Sequence, residues 1–138
     1  MRPSALAAIG VAIIGLAGTT YYYKSQPGTA GNGAALAQVR VVELSTRATE
    51  GMSAFNANCS VCHGKNAAGV DGAGPPLVHV IYEPNHHGDA SFHLAVKNGV
   101  RAHHWSFGNM PAIDGVTDED IEDIITYIRE LQRANGIR

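Results

Sequence analysis

The chain carries only two cysteines, and both fall in one short run, Cys59-Ser60-Val61-Cys62-His63. That run constrains the fold more than any other feature, because each chemistry open to two neighbouring cysteines demands different company. A structural zinc site needs about four Cys or His ligands, usually two pairs at finger-like spacing, and there is no second pair of cysteines. A thioredoxin-like redox pair needs a βαβ setting, and the flanking residues contain no buried parallel strand pattern. The third chemistry is covalent haem attachment, for which Cys-x-x-Cys-His is the signal. Its spacing has a physical basis: three residues is just under one helical turn, so both sulfurs lie on one side of the backbone. They can then bond the two vinyl groups of one porphyrin edge, leaving His63 to turn its imidazole under the iron. The cofactor expected is one haem c, covalent through Cys59 and Cys62.

A length of 138 residues suits one domain, and a formal charge of −2 gives no basic patch for nucleic acid. Aromatic residues make up only 7% of the chain, which limits the core a small domain can build from side chains. A buried porphyrin would supply much of the missing apolar surface.

Residues 1–23 read as a membrane anchor. Arg2 precedes an uncharged run from Pro3 to Tyr23, long enough to cross a bilayer as a helix, which takes about 20 residues. Tyr21, Tyr22 and Tyr23 sit where an interfacial aromatic belt would lie, with Lys24 just beyond. The rival is a cleaved signal peptide, because the strongly apolar core runs only from Ala5 to Gly18. No good small-x-small cleavage site follows that core directly, which favours a retained transmembrane helix. Residues 24–44 read as a flexible Gly/Ala-rich linker, in which Val39 and Val41 alternate as a short extended lead-in. Residues 45–138 are then the folded domain.

Within that domain the periodicity is helical. Gly51, Phe55 and Cys59 recur at i, i+4 and share one helix face. The last helix opens with Thr117 and Asp120 at capping-box spacing. It buries a stripe of Ile121, Ile124, Ile125, Ile128 and Leu131, and stops at Asn135-Gly136. Its acidic run, Asp118 to Asp123, reads as a solvated face that also complements the helix dipole. A middle helix runs from Asp89, read as its cap, to Asn98-Gly99. Gly51 has no side chain, so a second helix can cross closely there, with Tyr127 as a natural contact. Nothing reads as a sheet, and the fold class expected is all-α.

An iron held by His63 alone has an open sixth position. The candidates are Met110 and six further histidines, His79, His86, His87, His93, His103 and His104. Met52 lies too near Cys59 in sequence to wrap to the opposite face, and Met1 belongs to the anchor. Met110 sits in a loop between helices and is followed by Pro111, which biases it toward extended backbone. An ordinary methionine fills gaps in a core.

Together, Gly51-x-x-x-Phe55, the haem motif, Gly74-Pro75-Pro76-Leu77, the Met110-Pro111 pair and a terminal amphipathic helix with Tyr127 make residues 45–138 resemble the class I c-type cytochromes. The resemblance implies a compact all-α cytochrome c fold around one haem, its first and last helices crossing beside the cofactor. It implies His63 and Met110 as the axial iron ligands, and Pro75 as the carbonyl that accepts the proximal histidine's N–H, fixing its tautomer. Pro76 is the nearest alternative for that role.

Arg101, Trp105 and Tyr82 are candidates to hydrogen-bond haem propionates, since a buried indole or guanidinium needs an acceptor. The many histidines depart from the family pattern. They leave His103 or His104 as alternative iron ligands, and the pairs His86-His87 and His103-His104 as a secondary metal or proton site. Adjacent histidines point to different sides of an extended chain, so surface exposure is the expected outcome for them.

The function expected is electron transfer, with no catalytic residues and no small-molecule substrate. The chain is read as a carrier, not an enzyme, that docks transiently on membrane or periplasmic redox proteins. The resemblance implies haem attachment on the outer face of the bacterial inner membrane, with the domain on the periplasmic side. The alternatives are a haem-based sensor or peroxidase-like enzyme, which needs Met110 off the iron, and a cytochrome subunit of an oxidoreductase with an extra His-rich metal site.

Overall fold

Ser45 begins the first helix by turning its hydroxyl onto the Ala48 N–H at 3.2 Å, the side-chain capping that orphan helix amides require. In the computed structural model, which describes residues 32–138, that helix is α1, Thr46–Asn58. It is followed by the one-turn α2, Ser60–His63, then α3, Asp89–Asn98, and α4, Asp118–Ala134. Short 3-10 turns cover Lys65–Ala67 and Val80–Tyr82. Among the described residues there is no strand, only the isolated antiparallel bridges Val70 to Gly74 and Val100 to Met110. The all-α expectation therefore holds for the described residues. The expected anchor lies outside them, and among them no helix is long and apolar enough to cross a membrane.

α4 organises the core. Thr117 and Asp120 form the reciprocal capping box, the hydroxyl accepting from Asp120 N at 3.1 Å while the carboxylate accepts from Thr117 N at 3.0 Å. The stripe from Ile121 to Leu131 is buried along its length. Ile124, Tyr127, Ile128 and Leu131 join Phe55, Leu77 and Val78 in one cluster, while Ile121 and Ile125 meet Val96 of α3 in another.

α1 crosses α4 at Gly51. A Cβ there would stand 1.9 Å from the Asp123 carbonyl oxygen and 2.9 Å from the Ile124 nitrogen. The close contact is thus with backbone at Asp123 and Ile124. Tyr127, the expected partner, packs one turn further along, its ring 5.6 Å from that of Phe55. Arg47 ties the same two helices from outside, bonding Asp123 at 2.6 Å and Glu122 at 2.8 Å.

Two sequence expectations are corrected. Asp89 is the first residue of α3, not its cap: Gly88 occupies that position without a side-chain bond. The Asp89 carboxylate instead accepts from Arg129 Nε at 2.8 Å. The expected linker, 24–44, is packed on the domain in its described part. Leu36 and Ala37 both donate to the Ala68 carbonyl, at 3.1 and 2.9 Å, and Asp71 N donates to Ala34 O at 2.9 Å. Arg40 exchanges bonds with Asn135, its N–H on Oδ1 at 2.8 Å and its carbonyl on Nδ2 at 2.9 Å. Its guanidinium also bonds the Ala134 carbonyl at the end of α4. Composition suggested a tether because Gly and Ala have little to pack, but apart from the Arg40 guanidinium these contacts use linker backbone groups that any residue carries.

Candidate haem site

The cysteine run sits where α1 gives way to α2. Cys59 ends α1, its N–H on Phe55 O at 2.8 Å, and its own carbonyl accepts from His63 N at 2.9 Å. The chain therefore stays helical enough to keep Phe55, Cys59 and His63 on one wall. Cys59 is half-buried and Cys62 exposed, and both are free thiols. Burial, and secondarily the nearby Cys62, pushes the Cys59 thiol up to about 11. Such a group stays protonated at neutral pH, unlike the lowered thiols of redox pairs and metal sites.

His63 is buried. Its Nδ1 lies 2.9 Å from the Pro75 carbonyl. A carbonyl can only accept, so Nδ1 carries the proton and Nε2 keeps a lone pair. Desolvation holds the His63 pKa below its ordinary value, with the Pro75 bond opposing it. Desolvation, the larger effect, favours a neutral imidazole, and the Pro75 bond leaves Nε2 as the nitrogen free to ligate. Pro76 is fully buried and plays no such acceptor role for His63.

A cavity of about 530 Å³ opens beside His63, within the range of about 300–1,000 Å³ usual for small-molecule and cofactor sites. Its walls include Phe55, Cys59, His63, Pro75 and Tyr82 on one part, and Leu94, Val96, Trp105 and Met110 on others. Met110 reaches it because Val100 and Met110 exchange both backbone bonds at 2.9 Å, closing the loop between them. Gly99 makes that closure feasible. It ends α3 at φ +73°, and a Cβ there would meet the Met110 carbonyl at 2.5 Å, so a residue without a side chain in a left-handed conformation is required.

Of the residues expected from sequence, Cys59, His63, Pro75, Tyr82, Trp105 and Met110 line this cavity, and so do His87, His103 and His104. Cys62 and Arg101 do not; both are exposed, and the Arg101 carbonyl accepts from His103 Nδ1 at 2.8 Å. The Trp105 indole N–H is buried without a partner. Burial raises the Tyr82 hydroxyl pKa, and Trp105 partly offsets the rise, yet the indole does not reach hydrogen-bonding geometry with it. A buried donor left over at a cavity wall is what an acceptor on a bound group would satisfy. The size, the neutral His63 nitrogen, the thiol beside it and the spare Trp105 donor all suit a haem.

Sequence reading missed the support behind the site. Arg129 is buried, and besides Asp89 it donates to Tyr82 O at 2.7 Å, Gln132 Oε1 at 2.7 Å and His87 O at 2.6 Å. Gln132 Nε2 in turn donates to Leu77 O and Tyr82 O at 2.8 and 2.9 Å. The signal was available, since Arg129 and Gln132 follow Ile125 and Ile128 by four and so fall on the buried face.

The paired histidines are mostly exposed, as expected, but not for the reason expected. His86, His103 and His104 are exposed and His87 half-buried, but the pairs do not point apart. Glu83 O accepts both His86 N at 3.0 Å and His87 N at 2.8 Å, so the chain turns there, and alternation of an extended strand does not apply.

Helices packed around a cavity walled by a Cys-x-x-Cys-His histidine define a haem protein of the c type. The family model described as Cytochrome c matches residues 48–132, and the chain belongs to that family. No curated protein and no solved structure matches it. Membership brings covalently bound haem c and, in general, a haem-based electron-carrying role.

Proposed function

We propose that this chain is a mono-haem class I cytochrome c, ligated by His63 and Met110, that carries single electrons between membrane or periplasmic redox proteins. The observation that carries this reading is that His63 and Met110, far apart in sequence, line one cavity; His103 and His104 line it too, and the Met110-Pro111 match to the class I pattern favours Met110 among them. A single Cys-x-x-Cys-His run supports one haem, joined through Cys59 and Cys62.

Haem c supplies the one-electron ferrous/ferric couple when bound. The chain's own residues set how that couple behaves. Pro75 fixes the His63 tautomer and raises the basicity of its free nitrogen. The bridge to Val100 seats Met110, whose thioether raises the potential relative to a second imidazole. His63 and Met110 would together hold the iron and leave it no position for a substrate, which supports reading the chain as a carrier, not an enzyme. Leu94 lines the cavity yet is 61% exposed, an apolar rim suited to small, transient docking surfaces. Residues 1–23 anchor the chain in the bacterial inner membrane with the haem domain on the periplasmic side, which raises its local concentration near membrane oxidoreductases.

The test is Met110→Ala in the haem-loaded protein. The haem stays attached, the midpoint potential falls, and the ferrous form binds carbon monoxide. A variant with an unchanged spectrum and potential would place the sixth ligand elsewhere. Release of the pigment from membranes by a high-salt wash would remove the anchor from the proposal.

A further inference from the structure

Besides the ligands assigned to iron, three more imidazoles converge at the edge of the same cavity, whose wall includes His87 and His104. One ring nitrogen from each of His86, His87 and His104 lies within 4.8 Å of the others. They come from two separate loops. His86 and His87 sit in the turn held by the Glu83 carbonyl, and His104 in the loop closed by the Val100 to Met110 bridge. Nothing in the local sequence of either loop forces them together.

The distances have a chemical meaning. His86 Nε2 and His104 Nε2 face each other at 3.3 Å. Two nitrogens each about 2.0–2.1 Å from a tetrahedral ion stand about 3.3–3.4 Å apart. His87 is oriented from behind: its Nδ1 lies 2.6 Å from the Ile81 carbonyl, which can only accept. The proton is therefore on Nδ1, and Nε2 is the free donor, the arrangement usual for metal-ligating histidines. Arg129 fixes the same residue's backbone by its bond to His87 O. His86 and His104 are exposed, so an ion can enter from solvent.

We propose that His86, His87 and His104 bind one divalent first-row transition-metal ion, with a fourth position open to water. The donor set selects the class. Imidazole suits zinc and copper(II), whereas magnesium and calcium want oxygen ligands and copper(I) favours thiolate or thioether. The three donors contain neither carboxylate oxygen nor sulfur. His103, its ring 4.4 Å from that of His104, is also held by a carbonyl through Nδ1 and can close the open position.

The experiment uses the haem-loaded full chain, titrated calorimetrically with zinc sulfate and, separately, copper(II) sulfate while the visible spectrum is followed. One equivalent binds to the wild type and the haem bands stay fixed. His86→Ala with His104→Ala weakens binding by more than about 100-fold, since even partners behind the ligands contribute about 10–100-fold. His93→Ala, outside the cluster, changes nothing. Absence of a stoichiometric site, or binding indifferent to the double substitution, overturns the proposal. So does a change in the haem bands on metal addition, because the imidazoles would then be engaged with iron. If the double variant fails to mature, His86→Gln and His104→Gln singly carry the same test with the haem spectrum as the folding control.

Discussion

Gly51→Ala isolates the helix crossing that carries the site. The new Cβ would have to move from 1.9 Å to beyond 3.0 Å from the Asp123 carbonyl oxygen, so α1 and α4 must separate by about 1 Å. The atoms struck are main chain, so no rotamer change relieves the clash. Overpacking of this kind costs about 1–3 kcal/mol or more, and the rigid backbone puts it at the upper end. Alanine returns about 1 kcal/mol through its better helix propensity. The net loss is about 2 kcal/mol, or roughly 30-fold in the folding constant. For a domain of this size that lowers the melting temperature by about 8–16 °C. The assay is urea and thermal unfolding of the haem-loaded protein by far-UV circular dichroism. Ser53→Ala, on the exposed side of α1, serves as control and should move stability by less than about 0.5 kcal/mol. A Gly51→Ala protein as stable as the wild type, or more so, would refute the close crossing, because only the propensity gain would remain.

Other outcomes follow from the same geometry. Arg129→Met leaves the His87 carbonyl without its donor and weakens the bonds holding Tyr82 and Gln132. It should cost about 3 kcal/mol, read by urea unfolding, and Arg129→Lys should recover little because an ammonium cannot present the planar fork. Equal stability of all three proteins would count against the network. The Asp120 carboxyl lies below its ordinary 3.8, first through the Thr117 hydroxyl and then the Thr117 N–H. A depressed folded value means stability that is present above 3.8 and fades as pH falls through the folded value. The gap in urea midpoint between wild type and Asp120→Ala should be constant from about pH 5 upward and close in acid; a gap that persists unchanged at low pH contradicts the capping box. Trp105→Phe removes the buried indole N–H that lacks a protein partner. It should leave haem attachment intact and shift the midpoint potential, whereas an unmoved potential would reduce Trp105 to packing.

The cofactor was legible in the sequence because the motif that signals haem c is local. Two thiols and an imidazole within five residues need only helical spacing to stand together, and α1 and α2 supply that spacing. The α4 stripe and its capping box were legible for the same reason: periodicity and cap chemistry act over a few residues. Tertiary structure decided everything that depends on distant segments meeting. It put Met110 on the wall of the cavity that His63 lines by pairing Val100 with Met110, docked residues 32–40 on the domain largely through backbone bonds that composition does not encode, and drew Asp89 away from capping toward Arg129. It also gathered His86, His87 and His104 from two loops. A linear pattern reports which side of its own helix a residue faces; the partner across the fold is set by how the helices and loops pack.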